Sequence, residues 1–539
     1  MSNQILSGNL ARMNPDSPDL KRLFLAVFLM TALLMGYNAF FGPRSKPVSL
    51  AESETSTPMA PLVPVKPKAI LPLETLNIPI TETVLTKRLE PEASIRGGYT
   101  ARLSSEGAKL EQLNLLGYEK PIAFSPNFSV VSRDSELALS PKSRFQTVAA
   151  TSDSVTFVQQ TQDRIQVEHR YQLTERPFVV AHEVSFKNLG LATRHLSIDL
   201  EMNTSELAGH ESDQLAVTWN VNNKHHRFGQ KDLQEKPEHA QASPRYVGFD
   251  RRYFLMSLAP ETPSLFQGAK TAFQHVDGSD QFGIRLEAKS FSLSAGATQT
   301  FAFSSYLGPK QIGLLQNTGY GLEENIDYGW FGVLSRPLLW LLIWIDQWVK
   351  NFGIAIILLT IFIKLLTFPL TQKSFASQQE MKKIAPQLKE IQKKYSHDKA
   401  MLGQKQMEFY REKGINPMAG CLPMLIQMPV WFALYQMLGN SVELYEQPFY
   451  GWILDLTKPD PYYAFPVLMG VSMLISQLVI PPQIDESQPQ MKYVLWFMPL
   501  FLTFVMLNLP AGLSLYMLVN NLLTIAQQVY VRRRSESLT

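Results

Sequence analysis

The chain has 539 residues, with 50 Lys and Arg against 47 Asp and Glu, a net charge of +3 and 45% hydrophobic residues. That length leaves room for several domains, and the near balance of charge says nothing until the charges are located. The lone cysteine, Cys421, excludes an internal disulfide, and the absence of any Gly-Lys dipeptide excludes a Walker A loop and with it any sign of ATP hydrolysis.

Residues 1–22 are polar, end in Lys21-Arg22 and read as a cytoplasmic N-terminus; Leu23 to Phe41 then runs for nineteen residues without a charge. A cleaved signal peptide has an apolar core of only about 7–15 residues and a small-x-small cleavage site. Asn38-Ala39-Phe40-Phe41 offers no such site, so 23–41 reads as an uncleaved transmembrane anchor. Residues 42–74 form a Pro-rich tether, with seven prolines between Pro43 and Pro72 among Ser, Thr and Glu.

From 75 to 325 the pattern turns to strands. SVTFVQQT (154–161), RIQVEHRYQL (164–173), FVVAHEVSFKN (178–188) and HLSIDLEMN (195–203) are β-rich, partly alternating runs broken by turn residues. FSLSAGATQTFAFSSYLG (291–308) reads as a hairpin with Gly296 in its turn. Together they predict a β-sandwich domain. Eight of the nine histidines fall here, at 169, 182, 195, 210, 225, 226, 239 and 275, with no metal-ligand or catalytic spacing among them. They read as surface and strand histidines; a sugar- or peptide-binding cleft stays open as the alternative.

Residues 330–350 are amphipathic, with Trp340, Trp344 and Trp348 recurring every four residues on one face. The stretch is too interrupted to span and reads as a helix lying in the outer headgroup layer, or packed on the β-domain. FGIAIILLTIFIKLLTFPLT (352–371) is long enough at about 1.5 Å per residue to cross the hydrocarbon. Thr360, Lys364, Thr367 and Thr371 are spaced four, three and four, forming one polar stripe on an oily helix. Pro369 removes a backbone donor and frees the Leu365 carbonyl, which needs a polar neighbour.

Residues 372–416 are polar and helical, with a break at Ser396-His397-Asp398, and predict a helical hairpin carrying ten Lys and Arg against five Asp and Glu. Four more spans follow, at 418–439, 463–480, 493–508 and 512–531, before a tail at 532–539 that opens with Arg532-Arg533-Arg534. The basic hairpin and tail, set against a loop at 440–462 with only Lys458, place hairpin and both termini in the cytoplasm and the β-domain outside.

No Asp, Glu, Arg or His lies in any span, which leaves Lys364 alone and argues against a proton-coupled transporter and an intramembrane protease. Ser472, Ser476 and Gln477, then Asn520, Thr524 and Gln527 with Tyr516 one turn above, and Gln427, fall from mid-membrane toward the cytoplasm. Thr503 and Asn508 lie outside that pattern. The set reads as a polar groove open to the cytoplasm and closed outward. Two alternatives stay open: Lys364 snorkels to nearby headgroups, and Gln427, Asn520 and Thr524 glue helices together.

The runs TIFIKLLTFPLTQKSFASQQEMKKIAPQL, NPMAGCLPMLIQMPVWFALYQML, DPYYAFPVLMGVSM and FMPLFLTFVMLNLPAGLSLYMLVNNLLTIAQQ closely resemble the YidC-type membrane protein insertases, relatives of the mitochondrial Oxa and chloroplast Albino proteins. The likeness covers 327–531, and the anchor and β-domain match the Gram-negative form in layout. It implies an α-helical polytopic protein of the bacterial inner membrane, with six spans, a five-helix insertase core around a hydrophilic groove, and a large periplasmic all-β supersandwich domain. The family groove carries an arginine where Lys364 stands, so the charge is kept and the two-pronged carboxylate grip is lost; its groove threonine matches Thr360.

The activity implied is insertion and chaperoning of nascent membrane proteins, alone or with the Sec translocon, fed by the ribosome and the signal-recognition pathway. Lys364 would draw in a substrate's acidic tail while its apolar helix slides past Met424, Met428, Phe501 and Val505 into the lipid bilayer. The hairpin lysines Lys382, Lys383, Lys389, Lys393 and Lys394 would receive the nascent chain or form a solvated face. No catalysis, cofactor, metal or small-molecule substrate is expected. A small-solute permease would show inverted repeats, and a receptor would work through its β-domain alone.

Overall fold

The computed structural model describes residues 79–536 apart from 90–96, 119–121, 134–136, 138, 206–214, 277–278, 396, 416–421 and 480–488. The expected N-terminus, anchor and tether lie outside the described residues, as does His210. The chain divides into two compact units, one taking Ser49–Asp327 and Asn440–Glu443, the other Tyr328–Gly439 and Leu444–Thr539.

Among the described residues, the first unit is all-β apart from two short α-helices, α1 (Gln230–Glu235) and α2 (Ile312–Thr318), and two 3-10 turns. Its largest sheet is antiparallel and nine-stranded, in the spatial order 224–229, 216–221, 244–250, 254–260, 298–309, 179–188, 165–173, 154–160 and 146–150. A five-stranded sheet and a four-stranded sheet accompany it. Alternation drives the layering: in Ile165–Leu173 every second side chain is buried, the row being Ile165, Val167, His169, Tyr171 and Leu173. Tyr171, His182 and Met256 of the nine-stranded sheet meet Met202 of the five-stranded sheet around a cavity of about 10 Å³, at the lower limit for one water.

One expectation is corrected here. Residues 291–308 are not a hairpin: Phe291–Leu293 pairs with Arg194–Leu196, whereas Thr298–Pro309 lies between Phe254–Pro260 and Val179–Asn188. Gly296 does sit at a positive φ of 76° in the intervening turn, and its N–H goes to the Asn188 carbonyl at 2.9 Å. Two of the histidines read as strand residues are buried ones. His169 and His182 point inward from adjacent strands, and their Nδ1 and Nε2 lie 3.2 Å apart. Tyr171 stacks on His182 at 4.0 Å, Phe128 meets it edge-on, and Phe145 does the same for His169. Burial pushes the His169 pKa down to about 3 and holds His182 well below its ordinary value, so both stay neutral.

The C-terminal end of this unit is pinned by a buried charge network. Asp250 accepts from Lys310 Nζ at 2.8 Å and from Arg227 Nε at 2.7 Å, and Lys310 also reaches the Asn325 carbonyl at 3.2 Å.

The second unit is helical: α3 (Gly332–Val349), α4 (Phe352–Lys394), α5 (Lys399–Glu412), α6 (Leu422–Asn440), α7 (Ala464–Val479), α8 (Pro489–Met506) and α9 (Ala511–Glu536). Leu338, Leu339, Leu342 and Ile345 of α3 are buried, Ser335 donates to the Ala433 carbonyl of α6, and Phe331 stacks on Phe432. Its tryptophans face out, Trp340 at 68%, Trp344 at 47% and Trp348 at 76% exposure.

Helix α4 starts at Asn351, whose side chain caps Ile354 N at 3.0 Å, and continues through Pro369 and Pro386 for 43 residues. The backbone has no break at 371, so the apolar stretch and the first arm of the basic hairpin are one helix. Asp398 opens the second arm by accepting from Ala400 and Met401 N. Among the described residues, Phe352–Met381 is the one helix both long and apolar enough to cross a membrane; Ala464–Leu478 and Trp496–Met506 are apolar and shorter.

Candidate functional site

The polar residues of the apolar helices meet along α9. On α4, Thr360, Thr367 and Thr371 each return a hydroxyl hydrogen to the carbonyl four residues back, on Ile356, Ile363 and Thr367, at 2.7, 2.9 and 3.1 Å. That bond satisfies a hydroxyl within its own helix, which is how threonine is tolerated among leucines. Thr360 is buried and Thr367 half-buried.

Lys364 has no such internal option. Its half-buried ammonium donates to Thr524 Oγ1 of α9 at 2.7 Å, while the Thr524 hydroxyl hydrogen goes to the Asn520 carbonyl at 2.6 Å. Among the described residues, no carboxylate pairs with this ammonium. An ammonium carries three donors, so with one on Thr524 it can still take an anionic or carbonyl oxygen.

One turn further, Gln527 Nε2 donates to Thr371 Oγ1 at 2.7 Å and to the Phe368 carbonyl at 3.4 Å. The amide that reaches the Pro369 turn thus serves Phe368 rather than the freed Leu365 carbonyl. On the neighbouring stripe of α9, Asn521 donates to Ser472 Oγ at 3.3 Å, and Gln528 Oε1 accepts from Ser476 at 3.2 Å. Nearer its start, the Tyr516 hydroxyl accepts from Gln427 Nε2 of α6.

Helix α9 is therefore bonded to α4, α6 and α7 by separate polar pairs. Lys364, Thr524 and Asn520 come together; Gln427 with Tyr516, and Ser476 with Gln528, form two further pairs. Asn521 and Gln528 escaped the sequence reading because they sit one position beyond the Asn520, Thr524, Gln527 stripe, on the face turned to α7. Thr503, the residue that fitted no pattern, packs against Gly470 of α7 and donates to the Pro499 carbonyl at 2.8 Å.

The expected sliding residues divide. Phe501 and Met428 are half-buried, Val505 is turned inward, and the Met424 side chain lies outside the described residues. The outward row of α8 is Phe497, Leu500 and Phe504. On the hairpin, Lys383, Lys389, Lys393 and Lys394 are exposed, and the Lys382 side chain lies outside the described residues.

An all-β domain and a set of apolar helices, laced by hydroxyl and amide bonds with the Lys364 ammonium among them, make up a membrane protein with a large domain outside its helical part. Residues 344–537 match the family model described as 60Kd inner membrane protein, and residues 97–341 match that of the YidC periplasmic domain. The chain is 32% identical to the membrane protein insertase YidC of Syntrophus aciditrophicus, over 96% of this chain and 100% of that one. It is 30% identical to that of Geobacter metallireducens, over 95% of this chain and 98% of the other. The chain belongs to the YidC family of membrane protein insertases. A crystal structure of an active YidC insertase with its first transmembrane domain resolved aligns over 82% of this chain and 93% of that one, at 18% identity and a TM-score of 0.36, too distant to add to the argument.

Proposed function

We propose that this chain inserts newly made membrane proteins into the bacterial inner membrane and chaperones them there. Six spans cross the bilayer, both termini face the cytoplasm, and the five spans after the β-domain enclose a groove open to the cytoplasm and inner leaflet. The acidic tail of a substrate enters the groove and meets Lys364. Water held there shortens the hydrocarbon the tail must cross, and a tail carboxylate gains about 2.3 kcal/mol per 100 mV of membrane potential. The substrate's apolar segment leaves along the outward row of α8 into lipid, driven by hydrophobic transfer.

The exposed lysines on the hairpin receive the nascent chain from the ribosome or the signal-recognition pathway, and the Sec translocon shares some clients. One observation carries this reading: an ammonium between apolar helices whose bond is to a neutral hydroxyl, Thr524, and to no carboxylate among the described residues. A cation so placed is costly unless it meets water or an anionic guest.

The test is photocrosslinking to a ribosome-stalled nascent membrane protein, with a photoreactive side chain at Thr367, at Met428 or at Trp340. Adducts at the first two positions and none at the third are expected. Adducts at Trp340 alone would overturn the groove.

A further inference from the structure

The chain between α6 and α7 is long for a connection that carries no extended element of its own; much of it is exposed, yet a few of its side chains are turned fully inward. Leu444, Ile453, Leu456 and Asp460 are each 2% exposed or less. Three anchors hold it. Asp460 Oδ1 accepts from Trp452 Nε1 at 2.9 Å and Tyr462 N at 3.0 Å, and its Oδ2 accepts from Phe465 N, in the first turn of α7, at 2.8 Å. The carbonyls of Lys458 and Leu456 take the N–H groups of Ala511 and Gly512 at 2.7 and 3.0 Å. Phe449 packs against the first turn of α4, where a Cβ added to Gly353 would come within 2.0 Å of its ring.

The three helices are thus gripped at the same kind of end. The first N–H groups of any helix lack internal partners and carry the positive pole of its dipole. Here loop carbonyls satisfy α9, a carboxylate satisfies α7, and an aromatic ring covers α4. Below the loop the packing is apolar: Ala355, Ile356 and Leu359 are buried, and Ile356 closes on Gly512. Gly353 lies eleven residues before Lys364, about 16 Å along the helix.

We infer that residues 447–463 form a plug sealing the extracytoplasmic end of the groove, with Asp460 as the pin that holds it. The inference rests on the inward-open groove proposed above. Without the Asp460 carboxylate, Trp452 and two backbone donors lose their acceptor together and the loop lifts. Water and small cations then have a path past Gly353 toward Lys364.

The test uses the full chain in proteoliposomes with a trapped pH-sensitive dye. Wild-type vesicles should hold a proton gradient, Asp460→Ala should dissipate it about tenfold faster, and Trp452→Phe, which removes one of the bonds, should fall between. A Cβ on Gly512 would lie 3.7 Å from that of Leu456, within disulfide range. The pair Leu456→Cys and Gly512→Cys, in a Cys421→Ala chain, should therefore restore tightness to Asp460→Ala when oxidised and release it on reduction. That reversal separates a lifted plug from general misfolding.

Vesicles of Asp460→Ala as tight as wild type, or a leak indifferent to the clamp, would overturn the plug. A Thr367→Cys reporter distinguishes the two levels. Labelling by a charged thiol reagent from the cytoplasmic side with no Asp460→Ala leak sinks the plug alone; no labelling from that side sinks the groove and the plug with it.

Discussion

The ammonium of Lys364 and the hydroxyl oxygen of Thr524 lie 2.7 Å apart across the contact between α4 and α9, and the Thr524 hydrogen is already committed to the Asn520 carbonyl. The oxygen is therefore oriented as an acceptor before the lysine arrives. The cation is steered by a neutral hydroxyl and, among the described residues, is paired with no carboxylate.

Removing that acceptor should be felt at once. Hydrogen bonds to charged groups contribute about 1.5–3 kcal/mol, so Thr524→Val should lower the melting temperature of the detergent-solubilised chain by several degrees, while Thr524→Ser, which keeps the hydroxyl, stays near wild type. Equal behaviour of the two in a thermal melt would show that the bond carries no weight.

Reversing the charge tests the guest. Lys364→Glu should reduce insertion of substrates with acidic extracytoplasmic tails about tenfold more than of those with neutral tails, read by protease protection of the tail in vesicles. Equal loss for both would remove the electrostatic role.

The contact of Gly470 with Thr503 makes a packing prediction. A Cβ on Gly470 would meet Thr503 Oγ1 at 2.0 Å, and overpacking of this kind costs about 1–3 kcal/mol. Gly470→Ala alone should destabilise. Gly470→Ala with Thr503→Ala, which removes the obstructing atoms, should be no less stable than Thr503→Ala alone. A double-mutant cycle of melting temperatures measures the coupling, and simple additivity would contradict the contact.

The histidine pair gives the β-domain an acid limit. His169 has a folded pKa of about 3 against an ordinary value of 6.5, so between those pH values the unfolded chain binds a proton the folded chain refuses. Stability is complete above pH 6.5 and falls as pH drops toward 3, by about 1.4 kcal/mol per unit for each such histidine. Thermal melts of the full chain followed by the β-sheet circular dichroism signal should show this slope, and His169→Leu with His182→Phe should flatten it. A wild-type slope unchanged by that double substitution would assign the acid sensitivity elsewhere.

Much of this molecule could be read without coordinates because its signals are local. Alternation in Ile165–Leu173 marked a strand, the spacing of Thr360, Lys364, Thr367 and Thr371 marked one helix face, and Ser396-His397-Asp398 marked a break between two helical stretches, since each depends on neighbours within a turn or two. The family likeness followed from long contiguous runs of the same kind.

Pairings across distance were another matter. Phe291–Leu293 abandons its nearest strand for Arg194–Leu196 because the sheet already offers Thr298–Pro309 two longer partners. His169 and His182 meet because the register of their strands brings two inward rows together. Residues 352–371 supplied a polar stripe and its cation from composition and period. That Thr524 would receive the cation, that Gln527 would take Thr371, and that Asp460 would cap the first turn of α7 are consequences of how α4, α7 and α9 cross. A side chain's partner on another element depends on the rotation and depth of both elements, and packing fixes these only when the whole bundle has formed.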